Sequence, residues 1–314
     1  MPGLLHVVRH RPYSSCIADD TGLASLIRPS APRAAHYLGR MSWTIDLERI
    51  ARSEAETIAA TALVMARTCG SVAIQRLHGG YLIALGPGRY VNRAVGVGRE
   101  LSDEDLDTIE SFYAIAGTAP SVQLTSVTGD VTLHRMSARD FGAEWFRWAL
   151  AARISETRAD SAGPAEIAEV DDASVSDWMG VLACANGAED GEARSISNEY
   201  AAAAHGVEGS IDLLARVDGL PVACGSIEFA EGIAWLGGAA TIPSHRGRGL
   251  QRQLLGHRIR KARDTGVRLV AATAEPGSVS ARNLVRMGLR LVDAQVVMTR
   301  PAQSAIMPPQ ALLP

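Results

Sequence analysis

Between positions 244 and 255 the chain reads SHRGRGLQRQLL, which places Arg246, Gly247, Arg248 and Gly249 immediately ahead of an apolar helical run. A loop of this composition at the start of a helix collects unpaired backbone N–H groups, the positive end of a helix dipole and guanidinium groups in one spot. Glycine matters because a side chain there would keep an oxyanion away from the backbone. The chemistry this suits is the binding of a phosphate or pyrophosphate. Two familiar phosphate loops do not fit the letters. A Walker loop needs Lys-Ser/Thr after its last glycine, whereas Leu250 and Gln251 follow Gly249. A dinucleotide fingerprint needs a further glycine where Arg252 stands. Metal chemistry has no support either, since Cys16, Cys69, Cys184 and Cys224 are scattered without a C-x-x-C pair. The same scatter argues against a disulfide framework and leads us to expect a reduced, cytoplasmic compartment.

The elements that position this loop fall into two halves. The 314 residues are 47% hydrophobic with a formal net charge of −3, enough to build a core and too balanced to drive binding to nucleic acid or a membrane. No apolar run reaches the ~18 residues of a membrane span. A small-molecule partner is expected; monomer and homodimer stay open. Residues 1–42 read as an irregular leader broken by Pro12, Pro29 and Pro32. In 43–155, apolar spacing predicts a helix from Leu47 to Met65, strand-like runs follow at 71–75, 80–85 and 88–98, and Ser102 is the N-cap of a helix stopped by Gly117. Residues 140–154, with Trp145, Phe146 and Trp148, read as a helix or helix-to-strand junction whose aromatics pack between the halves. A polar linker is placed at 156–167 and a frayed tail at 301–314. In 168–300 come a helix at 174–187, a hairpin turning at Asp218-Gly219, a strand interrupted by Gly237 and Gly238, the arginine–glycine loop, a helix to Thr265, a strand, a helix and a last strand. Arg252, Arg258, Arg260, Lys261 and Arg263 are read as the solvated face of the helix after the loop. The order describes a mixed α/β sheet with helices on its faces.

The stretch TIPSHRGRGLQRQLL resembles the coenzyme-A-binding segment of the GCN5-related N-acetyltransferases (GNAT), with the signature Arg/Gln-x-x-Gly-x-Gly/Ala after a strand and a proline. Arg246 and Gly249 match its first two fixed positions, and Gln251 takes the place of the last glycine or alanine. The stretch TAEPGSVSARNLVRMGL also looks like the family, ending in Gly288-Leu289 where relatives have Gly-Phe. The resemblance covers residues 168–300 and implies a GNAT-like fold; the order of the first half is compatible with a degenerate second copy in tandem, the alternative being a scaffold that walls the substrate cleft. It implies acetyl-coenzyme A as cofactor, held by Ala239, Ala240, Thr241, Ile242, Arg246, Gly247, Arg248, Gly249, Leu250, Gln251 and Asn283. The equivalent stretch of the first half, VNRAVGVGRELSDED, puts three acids in a helix's first turn, which would repel a pyrophosphate. Cofactor binding is therefore assigned to the second half alone.

Such a resemblance implies acyl transfer from a thioester to an amine. Producing the neutral form of an alkyl amine at pH 7 costs about 4 to 5 kcal/mol, against about 1 kcal/mol for an α-amino group. A general base is accordingly worth most for an alkyl amine. Candidates are Glu228 and Glu231 beside the third strand and Glu275 at the end of the next parallel strand; the bland alternative for each is a solvated loop acid. His245 begins the loop and suits a surface or adenine-side role. Backbone N–H groups around Ala239 and Ala240 are expected to meet the developing oxyanion. Leu284 stands where many relatives have a tyrosine as general acid, so Ser280, or a water held by Asn283, becomes the candidate proton donor to the leaving sulfur. The alternative reading makes Ser278 a helix N-cap and Asn283 a tether. The expected activity is N-acetylation of a small amine or amino acid, with a non-catalytic acyl-coenzyme-A-binding regulator and a protein N-acetyltransferase as alternatives.

Overall fold

The computed structural model describes residues 47–301 except 71, 88, 90, 160, 161 and 189. The leader and all but the first residue of the tail lie outside the described residues. Helix α1 (Leu47–Met65) buries Ala51, Ala55, Ala59 and Ala62 along one stripe, and these small side chains let it lie close against a sheet. It is followed by β1 (Ala73–Leu77), β2 (Gly80–Ala84), β3 (Arg93–Val95), α2 (Asp103–Ile115), β4 (Ser121–Leu124), α3 (Asp130–Ala138) and β5 (Gly142–Arg153). The remainder runs β6 (Glu166–Glu169), α4 (Val175–Ala185), α5 (Gly191–His205), β7 (Ile211–Val217), β8 (Leu220–Ala230), β9 (Ile233–Trp235), β10 (Ala240–Thr241), α6 (Leu250–Asp264), β11 (Leu269–Ala274), α7 (Val279–Arg286) and β12 (Arg290–Thr299). This is the mixed α/β architecture the residue pattern describes.

The strands form one sheet in the order β1-β2-β3-β4-β12-β5-β11-β9-β8-β7-β6, with β10 paired to β8. The order is nearly a palindrome. Strands β1, β2, β3 and β4 match β7, β8, β9 and β11, each set being two antiparallel pairings followed by one parallel pairing, β3 with β4 and β9 with β11. Helices α2 and α6 fill the corresponding crossovers. The last strand of each half is then exchanged: β5 pairs with β11 of the second half, β12 pairs with β4 of the first, and β5 and β12 pair with each other at the centre. The two halves therefore share one hydrogen-bonded ladder. Strand β6 starts at Glu166, inside the stretch read as linker, and the buried Gln253 side chain grips the backbone of Ala165 at both its N–H and its carbonyl.

The segment 142–153 is a strand where a helix or helix-to-strand junction is expected. Ala149, Leu150, Ala151 and Ala152 are all fully buried, because β5 is central and covered on both faces, so no polar alternation marks it. Strand geometry puts Trp145 with Arg147 on one face and Phe146 with Trp148 on the other. Two guanidinium groups, Arg93 and Arg147, each lie 5.6 Å from the Trp145 ring, Trp148 packs against the second-half core, and Phe146 is exposed.

A single buried carboxylate ties the exchange together. Glu54 of α1 accepts hydrogen bonds at Oε2 from Gln123 of β4 (3.0 Å) and Gln295 of β12 (3.1 Å), while Oε1 pairs with Arg147 of β5 at 2.9 Å. Removing the charge would leave Arg147, which has little exposure of its own, without its counter-ion. Glu54→Gln is expected to cost about 3 kcal/mol of stability, read as a lower denaturant midpoint; an unchanged midpoint would remove this carboxylate from the account of how the halves are held.

Candidate functional site

The loop ahead of α6 owes its shape to its glycines. Gly247 and Gly249 both take left-handed backbone, at φ 79° and 80°, and a Cβ on either would meet nothing within 4 Å. The space over the loop is open. Gly249 is the N-cap of α6 with no side chain capping it and no acid in the first turn, and the first ladder bond runs from the Gln253 N–H to the Gly249 carbonyl at 3.0 Å. The N–H groups of Leu250, Gln251 and Arg252 precede that bond, so they are free of the helix ladder. Arg248 and Arg252 are exposed beside them. Arg246 behaves differently: Nε donates to the Thr241 carbonyl (3.1 Å) and Nη2 to the Ala185 carbonyl (2.9 Å). Its guanidinium pins the loop to β10 and α4, leaving the backbone as the main donor set for an anion. An oxyanion group fits this cradle by geometry and sign.

The counterpart in the first half is built against an anion. Helix α2 opens with Asp103, Glu104 and Asp105, and Ser102 and Asp105 form a reciprocal capping box that occupies its N–H groups. A cleft of about 180 Å³ does open there, between the carboxyl ends of β3 and β4, with Gly96, Arg99 and Thr125 among its lining.

The second-half cleft opens the same way. Strands β9 and β11 run parallel as far as Trp235 and Ala271, the Leu236 N–H reaches the Ala271 carbonyl at 2.8 Å, and then they separate. Residues 237–239 carry the chain away to β10, where Ala240 and Thr241 pair with Cys224 and Ala223 of β8 and the Ile242 N–H reaches the Val222 carbonyl. Gly238 sits at φ 56°, and a Cβ there would fall 2.6 Å from the Ser226 hydroxyl, so the break in the strand depends on glycine. The resulting gap, about 160 Å³, is lined by Gly237, Ala239, Gln251, Arg258, Thr273 and Ser280 among others. It sits at the carboxyl ends of parallel strands, where α/β sheets hold their ligands.

The structure brings some of the expected side chains to this gap and not others. Gln251 and Ser280 line it and meet through a 3.2 Å bond from Gln251 Nε2, while Asn283 Nδ2 donates to Gln251 Oε1 at 2.6 Å. The glutamine in place of glycine or alanine thus fastens α6 to α7. Ser278 caps α7, accepting from the Ala281 N–H at 3.1 Å. Glu275 lies on the exposed turn after β11, and neither it nor Glu228 is among the residues that line the gap. Glu231 is exposed at a turn, its carbonyl accepting from Arg49.

Glu228 is the acid the fold places. A Cβ on Gly237 would lie 3.3 Å from its Oε1, so its carboxylate borders the break in β9 from the opposite face to α6. Burial first, then the negative charge of Asp212, push its pKa up to about 7, against the Thr57 hydroxyl, which lowers it. Glu228 is largely but not fully buried, which leaves a route for its proton to water. Thr57 belongs to α1, which also meets this face through the Ser53 hydroxyl, accepting from Trp235 Nε1 at 2.7 Å and donating to the Ala230 carbonyl at 2.9 Å. The first half thereby supplies one wall of the second-half site. Asp212 in turn meets His205 of α5 at 2.8 Å.

Three residues at this site had no role in the sequence reading. Asp212 and His205 lie on different elements, and nothing local joins them. Arg258 was read as part of a solvated face, and it is fully buried. Its spacing held the signal: it follows Leu254 by four and Leu255 by three, on the apolar stripe of α6.

Among the described residues no helix is long and apolar enough to cross a membrane, and no group of three His, Cys, Asp or Glu could hold a metal ion. Residues 179–289 match the model of the acetyltransferase (GNAT) family. No curated protein matches the chain. Similar solved structures include a GCN5-related N-acetyltransferase from Kribbella flavida, at 18% identity and TM-score 0.57, covering 79% of this chain and 95% of that one. A tandem GNAT protein from the clavulanic acid biosynthesis pathway is 13% identical with TM-score 0.54, over 79% and 96%. A conserved protein of unknown function from Staphylococcus epidermidis is 12% identical with TM-score 0.55, over 70% and 90%. At these identities the likeness is one of fold.

Proposed function

From the premise that residues 179–289 are a domain of the GNAT acetyltransferase family, we propose that the protein is an acyl-coenzyme-A-dependent N-acyltransferase, acetyl being the acyl group the resemblance implies, acting on the amine of a small molecule or amino acid. The observation that carries this reading is the meeting, at Gly237–Ala239, of a cleft that starts at an uncapped, acid-free helix N-terminus with a carboxylate whose pKa is raised to about 7. Coenzyme A, when bound, supplies an acyl thioester with a good leaving thiolate.

The protein's own residues divide the remaining work. The backbone of Gly247–Gln251 binds the pyrophosphate, and Arg248 and Arg252 add charge at the rim. Residues 237–239 line the gap in which the thioester is held, and Gly238 keeps that stretch out of the ladder. Glu228, as general base, takes the proton from the ammonium that must lose it before attack. A carboxyl group with a value near 7 is half in its basic form at neutral pH and is strong enough as a base to matter there. Ser280, whose hydroxyl accepts from Gln251 and lines the gap, serves as proton donor to the leaving sulfur.

The sign of the pH dependence follows. The active form of Glu228 is the carboxylate, whose population grows as pH rises through about 7, so kcat/KM, which reports the free enzyme, is expected to climb across that range. Asp212→Asn removes a negative neighbour that disfavours the carboxylate, so this limb should move to lower pH while any limb set by the amine stays in place. Rate profiles of wild type and variant with one amine check this; a limb that moves upward, or fails to move, would take Asp212 out of the tuning of Glu228.

A further inference from the structure

Among the described residues Arg258 has no counter-charge. It rises from the third turn of α6, is 1% exposed, and lies over β8 where Gly225 leaves room; a Cβ on that glycine would be 3.0 Å from its guanidinium carbon. Nη1 donates to the Gly237 carbonyl at 2.9 Å and to the Ser226 carbonyl at 3.3 Å, while Nε has no acceptor among the described residues. The titratable group that acts on it electrostatically is Cys224, whose thiol is itself pushed up to about 12 by burial and is therefore neutral. None of the residues lining the gap is an aspartate or glutamate, and Arg258 is the charged side chain among them. Desolvating an unpaired cation is costly, and two neutral carbonyls compensate it only in part.

The anionic end of coenzyme A is too far away to be the missing partner. Arg258 stands nine positions after the N-cap Gly249, which at the helical rise is about 13 Å along α6 from the pyrophosphate cradle. What lies beside Arg258 is Gly237, at the break in β9 where the acyl group is to be held. We propose that the gap accepts an acyl group ending in a carboxylate, the monothioester of a short dicarboxylic acid, with Arg258 as the cation that binds that carboxylate. The proposal rests on the reading of the gap as an acyl-thioester site. Burial lowers the guanidinium to about 10, so it stays charged at neutral pH. A planar guanidinium whose Nε donates to no acceptor among the described residues suits a carboxylate better than a methyl group.

Calorimetry with free coenzyme A, acetyl-coenzyme A and succinyl-coenzyme A tests it on the full chain. The wild type is expected to bind the succinyl thioester at least ten-fold more tightly than the acetyl one. Arg258→Met, which keeps the length and apolar packing, should bind both equally and bind free coenzyme A as the wild type does. Equal wild-type affinity for the two thioesters would overturn the proposal and leave the coenzyme A site standing; no binding of any of the three would overturn the site itself. Should Arg258→Met fail to fold, Arg258→Lys serves: it keeps the charge without the fork, and an unreduced succinyl preference in that folded variant would remove Arg258 from the recognition.

Discussion

Gly249→Glu is expected to abolish coenzyme A binding while leaving the protein folded. Position 249 has φ 80°, and a Cβ there would meet nothing within 4 Å, so a side chain would bring backbone strain of about 1 to 2 kcal/mol and no clash. An acid at a helix N-cap recovers part of that strain through the dipole and the first N–H groups. The same carboxylate would occupy the donors on which a pyrophosphate depends and would repel it. A loss of at least 100-fold in affinity, about 2.7 kcal/mol, is the expected calorimetric result, with a melting temperature close to the wild type's. Retained affinity in a folded variant would move the cofactor to another part of the molecule.

Glu228→Gln is the second large effect. The carboxamide matches the carboxylate in shape and cannot accept a proton, so kcat should fall by about 10² to 10⁴, with coenzyme A affinity unchanged because Glu228 borders the gap from the face away from α6. The limb of the pH profile near 7 should vanish along with the rate. A variant that keeps its rate and its limb would give the proton to another group and reduce Glu228 to a buried acid beside a glycine.

Much of the second half could be read directly from its residues. The glycines of the loop, the Asp218-Gly219 turn at φ 50° and 78°, the break at Gly237-Gly238 and the cap at Ser278 all act through local backbone rules, so spacing reveals them. Ser102 did the same for α2. Other elements left no such trace. Helix α5 is rich in alanine and polar residues, with Ala201 and Ala203 as its buried positions, so it lacks the apolar stripe that marks a helix. Strand β5 is buried along its central residues and shows no alternation, and its alanines and leucine have helical propensity that the sheet overrides.

The exchange of β5 and β12 is a property of the assembled sheet, and no local pattern in either strand encodes its partner. The site divides along the same line. The candidate phosphate cradle is contiguous in sequence, while the surroundings of the proposed base come from three elements. Glu228 was one of several acids at strand ends until Asp212 from β7 and Thr57 from α1 were placed beside it. Glu275, at the end of β11, had the better position on paper and lies on an exposed turn. Arg258 shows the reverse error, since a charged residue was assigned to solvent by type when its spacing put it on the buried stripe.

The central claim is that the cleft between β9 and β11 transfers an acyl group from coenzyme A to an amine. Its most direct test is the release of free thiol from acetyl- and succinyl-coenzyme A by the purified full chain, followed with and without a panel of alkyl amines, amino acids and peptides. Thiol release that depends on at least one amine and is lost in Glu228→Gln is the predicted result. Tight coenzyme A binding with no amine-dependent release from either thioester, across the whole panel, would contradict the account and leave a protein that binds the coenzyme without turning it over.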